Sequence, residues 1–246
     1  MVTACGQNRV TYSYKKESYN IKSDIVISNL SPKQTYQLYN KPYSDTKEIA
    51  DSLLTIYLGF SKNLKEVYGK RRAYSNFIFD TICSLEEFNL LTKRDISKRG
   101  FVFVDYSQID SGLTDSGKSF GAICMMDYIT DWEDLDQKSY RKKKESLMKS
   151  TLKKLEKYYP NISDLVEYAE VGTAKTVKRY IKTPNGTAYG FKPTPKQFFR
   201  IPTVKSEKID NLYFVGQWVI AGGFNPAIVS GKLCFREVKK HSSSSD

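Results

Sequence analysis

Histidine is almost missing from this chain: among 246 residues only His241 carries an imidazole, and it sits beside a Ser-rich end. A Ser/His/Asp triad and His-ligated metal centres are thereby excluded, so any chemistry has to come from carboxylates, lysine, tyrosine or a bound cofactor. Cysteine is sparse as well. Cys5, Cys83, Cys124 and Cys234 are widely separated and form no CxxC pair, which argues against a zinc site or disulfide framework and fits a reducing, cytoplasmic setting. The one uncharged stretch long enough to span a bilayer, residues 211–230, contains Gln217, Gly222, Gly223, Asn225 and Pro226, which break a helix. The first residues lack the basic, apolar and small-residue order of a secretory signal. No segment carries GxGxxG, the turn that holds a dinucleotide pyrophosphate on a helix N-terminus.

Positive charge and aromatic residues are plentiful. Lys and Arg number 39 against 27 Asp and Glu, and the chain is 40% hydrophobic and 13% aromatic, enough to fold around one large or two small cores. The basic residues are scattered, and the run Arg141, Lys142, Lys143, Lys144 has no aromatic stacking platform at suitable spacing. A specific nucleic-acid site is not expected. Tyr140, Leu147, Thr151, Leu152, Leu155 and Tyr158 recur at helical spacing, so residues 140–159 read as an amphipathic helix with the basic run on its solvated face and Pro160 helping to stop it. A membrane surface or acidic partner is the alternative use of that face.

Along the chain, residues 9–14 pair with 19–29 across the polar 15–18 turn, and Ile25, Val26 and Ile27 mark a buried strand. Ser31 is placed to cap a short helix and Pro32 to open it. Apolar patterning marks strands within 53–60, 73–79, 100–106 and 118–129. The chain changes direction over 166–174, forms a short helix over 176–181, turns at Pro184, Asn185 and Gly186, and is loop-like to Pro202. A strand over 211–215, a glycine turn and a helix from Pro226 to about Lys240 complete it.

The most informative residues are Gly216 and Gln217 after that last strand, Gly222 and Gly223 in the turn, and Pro226 and Ala227 opening the helix. Small residues let backbone approach a ligand, and a helix N-terminus offers unpaired N–H groups to an electron-rich acceptor. An ordinary strand-to-helix crossover, with glycines for tight packing, accounts for the same local pattern.

Residues 211–231, NLYFVGQWVIAGGFNPAIVSG, resemble the closing FAD-contact segment of phytoene-desaturase and carotenoid-isomerase-like oxidoreductases, in the amine-oxidase-like superfamily. Three further segments are similar to that family in its order: DIVISNLSP (24–32), YSQIDSGLTDSGK (106–118) and TAYGFKPT (187–194). The resemblance implies an α/β fold in which 1–43 is the return segment of an incomplete FAD-binding domain, 44–182 an α+β substrate domain of mixed sheet and helices, 183–240 the closing FAD segment, and 241–246 a disordered tail. It places Gly216 and Gln217 near the ribityl and pyrophosphate part of FAD, Asn225, Pro226, Ala227 and Ile228 near the flavin pyrimidine edge, and Gly223 where clearance is needed. Many relatives have an acidic residue at the position of Gln217. It further implies an apolar, polyene-type substrate and a truncated gene, a split protein or a fragment, with the missing N-terminal FAD-binding half as partner if it is expressed, and little activity or FAD binding without that half. A non-catalytic remnant or binding domain, contacting a membrane surface peripherally or an acidic partner through its basic helix, is the competing expectation.

Overall fold

A computed structural model of the chain describes all residues except 45–46, 70–71, 80–83, 85, 88–94, 116, 199–202 and 244–246; Cys83 therefore lies outside the described residues. The chain forms two compact units, one built from residues 1–50 and 187–246, the other from 51–186.

In the first unit, strands β1 (Val2–Gly6), β2 (Arg9–Tyr14) and β3 (Glu17–Lys22) form an antiparallel meander. The expected hairpin is present but tighter than the polar 15–18 stretch suggested. Lys15 and Lys16 alone make the turn, both with positive φ (50° and 70°), the conformation whose twist suits a two-residue hairpin. The expected partner over 19–29 is two strands. β3 ends at Lys22, and β4 (Val26–Ser28) pairs in parallel with β10 (Leu212–Phe214). Helix α1 (Pro32–Leu38) follows β4, with Ser31 Oγ accepting from Gln34 N as cap and Pro32 in the first turn. Its Tyr36 packs with Leu212, Phe214 and Val219 in a small core.

The second unit is a five-stranded sheet in the order β6 (Ser75–Ile78), β7 (Phe101–Asp105), β8 (Ser119–Asp127), β5 (Ser52–Phe60), β9 (Val166–Gly172). All four pairings are antiparallel, which corrects the expected mixed sheet: period-2 burial on one face is what an antiparallel sheet with one covered side produces. That covered face presents Leu54, Ile56, Leu58, Phe60, Phe101, Phe103, Ile123 and Met125. Besides α2 (Leu64–Tyr68), the unit contains the long helix α3 (Gln137–Leu155), which adds Leu147, Leu152 and Leu155 to this core.

Helix α3 starts on Asp136, whose carboxylate accepts from Ser139 N at 2.7 Å and is held below the usual carboxylate range by that backbone bond. It ends at Leu155, five residues before Pro160, so the proline does not stop it. The basic run is not uniformly solvated either. Arg141 and Lys142 are exposed, but Lys143 is half-buried, with Nζ donating to Asp131 O at 2.7 Å and lying 4.9 Å from the Trp132 ring centre. Beneath it, fully buried Asp127 accepts from Trp132 Nε1 (2.8 Å) and from Ala174 N (2.7 Å), the first residue of α4 (Ala174–Ile181). Arg99 lies 3.9 Å from Asp127 and pairs with Asp131 at 2.9 Å. Burial raises the Asp127 carboxyl above its ordinary value despite the donors around it.

After the short helix α5 (Pro195–Phe198) and β10, the chain closes with α6 (Phe224–Ser243). This helix runs three residues past the expected end, so His241 continues it instead of opening a loose tail; residues 244–246 lie outside the described residues. No helix among the described residues is long and apolar enough to cross a membrane.

Candidate functional site

Strand β10 is three residues, Leu-Tyr-Phe, all buried. Its register on β4 pairs Leu212 with Val26 and Phe214 with Ser28, and the bond from Val215 N to Ser28 O (3.0 Å) carries the pairing one residue further. The chain must then leave the sheet sharply. Gly216 does this with φ 88°, and the space a Cβ would need is filled by Asn29 Oδ1. Its N–H donates to Ser230 Oγ at 2.7 Å, and that hydroxyl donates to Ala227 O at 2.6 Å. Fully buried Ser230 thus ties the turn to the first turns of α6. Sequence reasoning passed over it. The available signal was a serine in a helix where its hydroxyl can bond a carbonyl of the preceding turn.

The TAYGFKPT segment meets this turn directly. A Cβ on Gly190 (φ 76°) would collide with the carbonyl oxygen of Gln217, and one on Gly222 with Cα and Cβ of Tyr189. Gly216, Gly190 and Gly222 are therefore glycines because other atoms of the chain occupy the space. Gly223 differs. Its φ is 104°, yet the nearest atom to a Cβ there is Pro226 Cδ at 3.9 Å, so the position is left-handed and open.

Helix α6 starts immediately afterwards, with Ala227 N bonding Gly223 O at 3.2 Å. Phe224 and Asn225 N–H have no acceptor within the helix, by the geometry of a first turn, and Pro226 falls where no N–H is needed. Asn225 and Ile228 are exposed, Pro226 and Ala227 half-buried. Phe224 (91% exposed), Ile228 (72%) and Phe235 (66%) fall with Gly231 on one helical stripe.

Of the seven residues singled out in the sequence, Gly223, Asn225, Pro226, Ala227 and Ile228 lie together at this open helix start. The Gly216 N–H and Gln217 carbonyl instead face this chain's own atoms. Residues 216–228 contain no acid, base or hydroxyl, and burial pushes the neighbouring Tyr213 and Cys234 above their ordinary pKa values. The segment can orient a bound group but cannot exchange protons with it.

In the second unit, the sheet face opposite the core carries Leu53, Tyr57, Val102, Val104, Phe120, Cys124 and Met126, all exposed or half-buried. Tyr57 stacks on Phe120 (6.4 Å between centres), and Tyr106 tilts against Phe120 (5.4 Å). Burial raises the Cys124 thiol, so it stays neutral and apolar in character.

No protein-family model matches the chain. The chloroplastic prolycopene isomerase of Daucus carota is 35% identical over 144 residues, 56% of this chain and 23% of that protein, and its Arabidopsis thaliana counterpart is equally similar. The chain is similar to part of a carotenoid isomerase-like oxidoreductase. The all-trans-retinol 13,14-reductase of Danio rerio is 27% identical over 245 residues, 89% of this chain and 40% of that protein. A solved oxidoreductase from Methanosarcina mazei aligns over 91% of this chain and 44% of its own, at 13% identity and a TM-score of 0.43. The chain therefore spans less than half the length of each of these proteins.

Proposed function

We propose that this chain is the C-terminal part of an FAD-dependent oxidoreductase of desaturase, saturase or isomerase type, acting on an extended apolar, polyene-type substrate. The observation that carries the reading is the pairing of Gly223, left-handed with open space before it, with the unsatisfied first turn of the 20-residue helix α6. Fixed partial positive charge at such a turn suits an electron-rich ring edge. Asn225, Pro226, Ala227 and Ile228 would hold the flavin's pyrimidine edge there. Gly216 fits a pyrophosphate poorly, since its N–H is already donated to Ser230; phosphate binding falls to a GxGxxG-bearing half that these residues do not include.

The parallel pair β4–β10 supports such a half, because parallel sheets are stable with several strands and with both faces covered. When bound, the flavin would supply the hydride-transferring centre. Residues 1–43 and 183–240 serve the cofactor and 44–182 the substrate. The flat aliphatic, aromatic and sulfur-bearing face around Tyr57, Phe120, Cys124 and Met126 suits a rigid conjugated chain, which needs contact area and few hydrogen bonds. Widely separated cysteines without a CxxC pair support a reducing setting such as the cytoplasm. The rival reading, a basic helix docking on a membrane, is weakened by Lys143, which is committed to Trp132 and Asp131.

The chain alone is expected to purify without flavin. Fused behind the N-terminal portion of the Daucus carota relative, it is expected to acquire flavin absorbance. In that fusion Gly223→Val abolishes flavin occupancy, because a branched side chain enters the open space in a strained conformation, while Lys153→Ala, on the exposed side of α3, leaves it intact. Full flavin in a folded Gly223→Val fusion would make the segment a packing crossover and nothing more.

A further inference from the structure

The antiparallel meander of the first unit has two edges, and they are not alike. The β1 edge is interrupted: its register on β2 shifts between Val2 and Ala4, the kind of irregularity that blunts an edge against further pairing. The β3 edge carries no such device. Its residues, Glu17–Lys22, keep an unbroken register on β2, include no proline and are all exposed.

The Ser23 N–H donates to Asn8 O at 3.1 Å, which fixes the phase of the hydrogen bonds along this edge. Residues of an antiparallel strand bond alternately to one side and the other. Glu17, Tyr19 and Ile21 therefore bond to β2, while Ser18, Asn20 and Lys22 direct their main-chain N–H and C=O outwards, where no strand among the described residues meets them. The side chains alternate as well. Tyr19 and Ile21 share a face with their register partners Tyr12 and Val10, and Tyr19 stacks on Tyr12 with 5.4 Å between ring centres. That apolar face reaches the edge uncovered, with Tyr19 38% and Ile21 52% exposed. The opposite face is polar: Thr11 Oγ1 donates to Asn20 Oδ1 at 2.7 Å.

We propose that the β3 edge binds a second copy of this chain, β3 against β3 in antiparallel pairing about a two-fold axis through Asn20, so that the two meanders become one continuous sheet. In that register the strand is complementary to itself. Asn20 faces Asn20 of the other copy and Ser18 faces Lys22, so the outward groups meet in about six main-chain bonds. On the apolar face Tyr19 lies opposite Ile21 of the other copy, twice over, an aromatic and β-branched pair of the favourable kind. Beyond the strand ends, exposed Lys16 comes alongside exposed Asp24 of the other copy, also twice, so charge agrees with the backbone. A slip of one residue sets bonding groups against non-bonding ones. A slip of two sets Ile21 against Glu17 or Tyr19 against Ser23. This self-complementarity is what an isologous two-fold contact requires, and it selects a second copy over an unrelated strand. The contact is separate from the helix start around Gly223 and does not depend on flavin binding there.

Sedimentation velocity of the full chain, from about 10 μM to about 1 mM, is expected to show a monomer passing into a dimer and nothing larger, since the pairing uses up the edge. Over the same range, amide hydrogen exchange followed by NMR is expected to slow at Ser18, Asn20 and Lys22, by about tenfold where nearly all of the chain is dimeric. Asn20→Pro removes the outward N–H at the axis without touching a main-chain bond to β2, the one kind of strand position where proline is tolerated. This variant is expected to stay monomeric throughout and to keep the urea midpoint of the dilute parent, read at Trp218. The proposal fails if the chain is still monomeric at the highest concentration, if species larger than a dimer form, if the three amides exchange as fast in the dimer as in the monomer, or if folded Asn20→Pro associates as the parent does. Should Asn20→Pro unfold, exchange at the three amides of the parent still decides the matter.

Discussion

Gly190 and Gly223 form a matched pair for testing why this turn is rich in glycine. Both have positive φ, 76° and 104°, so alanine at either is placed in a left-handed conformation costing about 1–2 kcal/mol. The small entropic gain of replacing glycine in the unfolded chain is common to both and cancels in the comparison. The surroundings differ. At Gly223 the added methyl enters open space, whereas at Gly190 it meets the Gln217 carbonyl, a main-chain atom that no rotamer change can move aside. Overpacking of this kind adds about 1–3 kcal/mol, giving about 1–2 kcal/mol for Gly223→Ala and about 2–5 kcal/mol for Gly190→Ala. Urea unfolding of the full chain, followed at the Trp218 indole for the first unit and the Trp132 indole for the second, resolves the two. At a slope of about 1–3 kcal/mol per molar, the Trp218 midpoint of Gly190→Ala should fall clearly below that of Gly223→Ala, with the Trp132 midpoint unchanged in both. Equal Trp218 midpoints would mean that the backbone does not need to approach so closely at Gly190, and the packing account of the TAYGFKPT segment would be wrong.

Lys143→Ala should destabilise the second unit by about 1–2 kcal/mol, from the lost bond to Asp131 O and the lost contact with the Trp132 ring; exposed Lys142→Ala should stay within about 0.5 kcal/mol. Urea midpoints read at Trp132 compare them, and equal effects would return Lys143 to the solvated face. Asp127→Asn should cost about 1–3 kcal/mol, since an amide cannot accept from Trp132 and Ala174 with both of its polar atoms. Because burial raises the Asp127 carboxyl in the folded state, its protonated form is the better tolerated one there. The advantage of the parent over Asp127→Asn is therefore greatest at acid pH and shrinks as pH rises through the folded-state value. An advantage that grew over that range would contradict the assignment.

Local chemistry was legible where a few adjacent residues determine the outcome. Ser31 and Pro32 announce a helix start because a hydroxyl acceptor and a missing N–H act within one turn, and the Leu-Tyr-Phe strand followed by small residues announces the exit at Gly216. What depended on residues distant in sequence was not legible. β4 reads as the end of a hairpin until its parallel partner, 184 positions later, is seen beside it (212 against 28 at the nearest ends). Alternating apolar positions in β5 and β8 mark strands but not their relative direction. Lys143 looks like its charged neighbours until Trp132 is placed under it. At the candidate site the open helix start was readable as a pattern, but the use of the Gly216 N–H by Ser230 and of the Gly190 face by Gln217 needed three dimensions.

The connection at the root of the second unit bears on the order in which the chain assembles. Residues 48–50 run antiparallel to 190–192, with Ala50 N on Gly190 O and Lys192 N on Glu48 O, both at 2.8 Å, and an Ile49–Phe191 bridge between them. Everything between these two short segments is a loop as far as β4 and β10 are concerned, and closing it while it is unstructured costs about 4 kcal/mol of chain entropy. A sheet that has already folded from 51 to 186, with local antiparallel pairings, delivers its two ends with that cost largely met. The parallel pair is then a late event, and a ribosome-bound chain lacking its last forty residues would hold a finished second unit beside a first unit that cannot yet close.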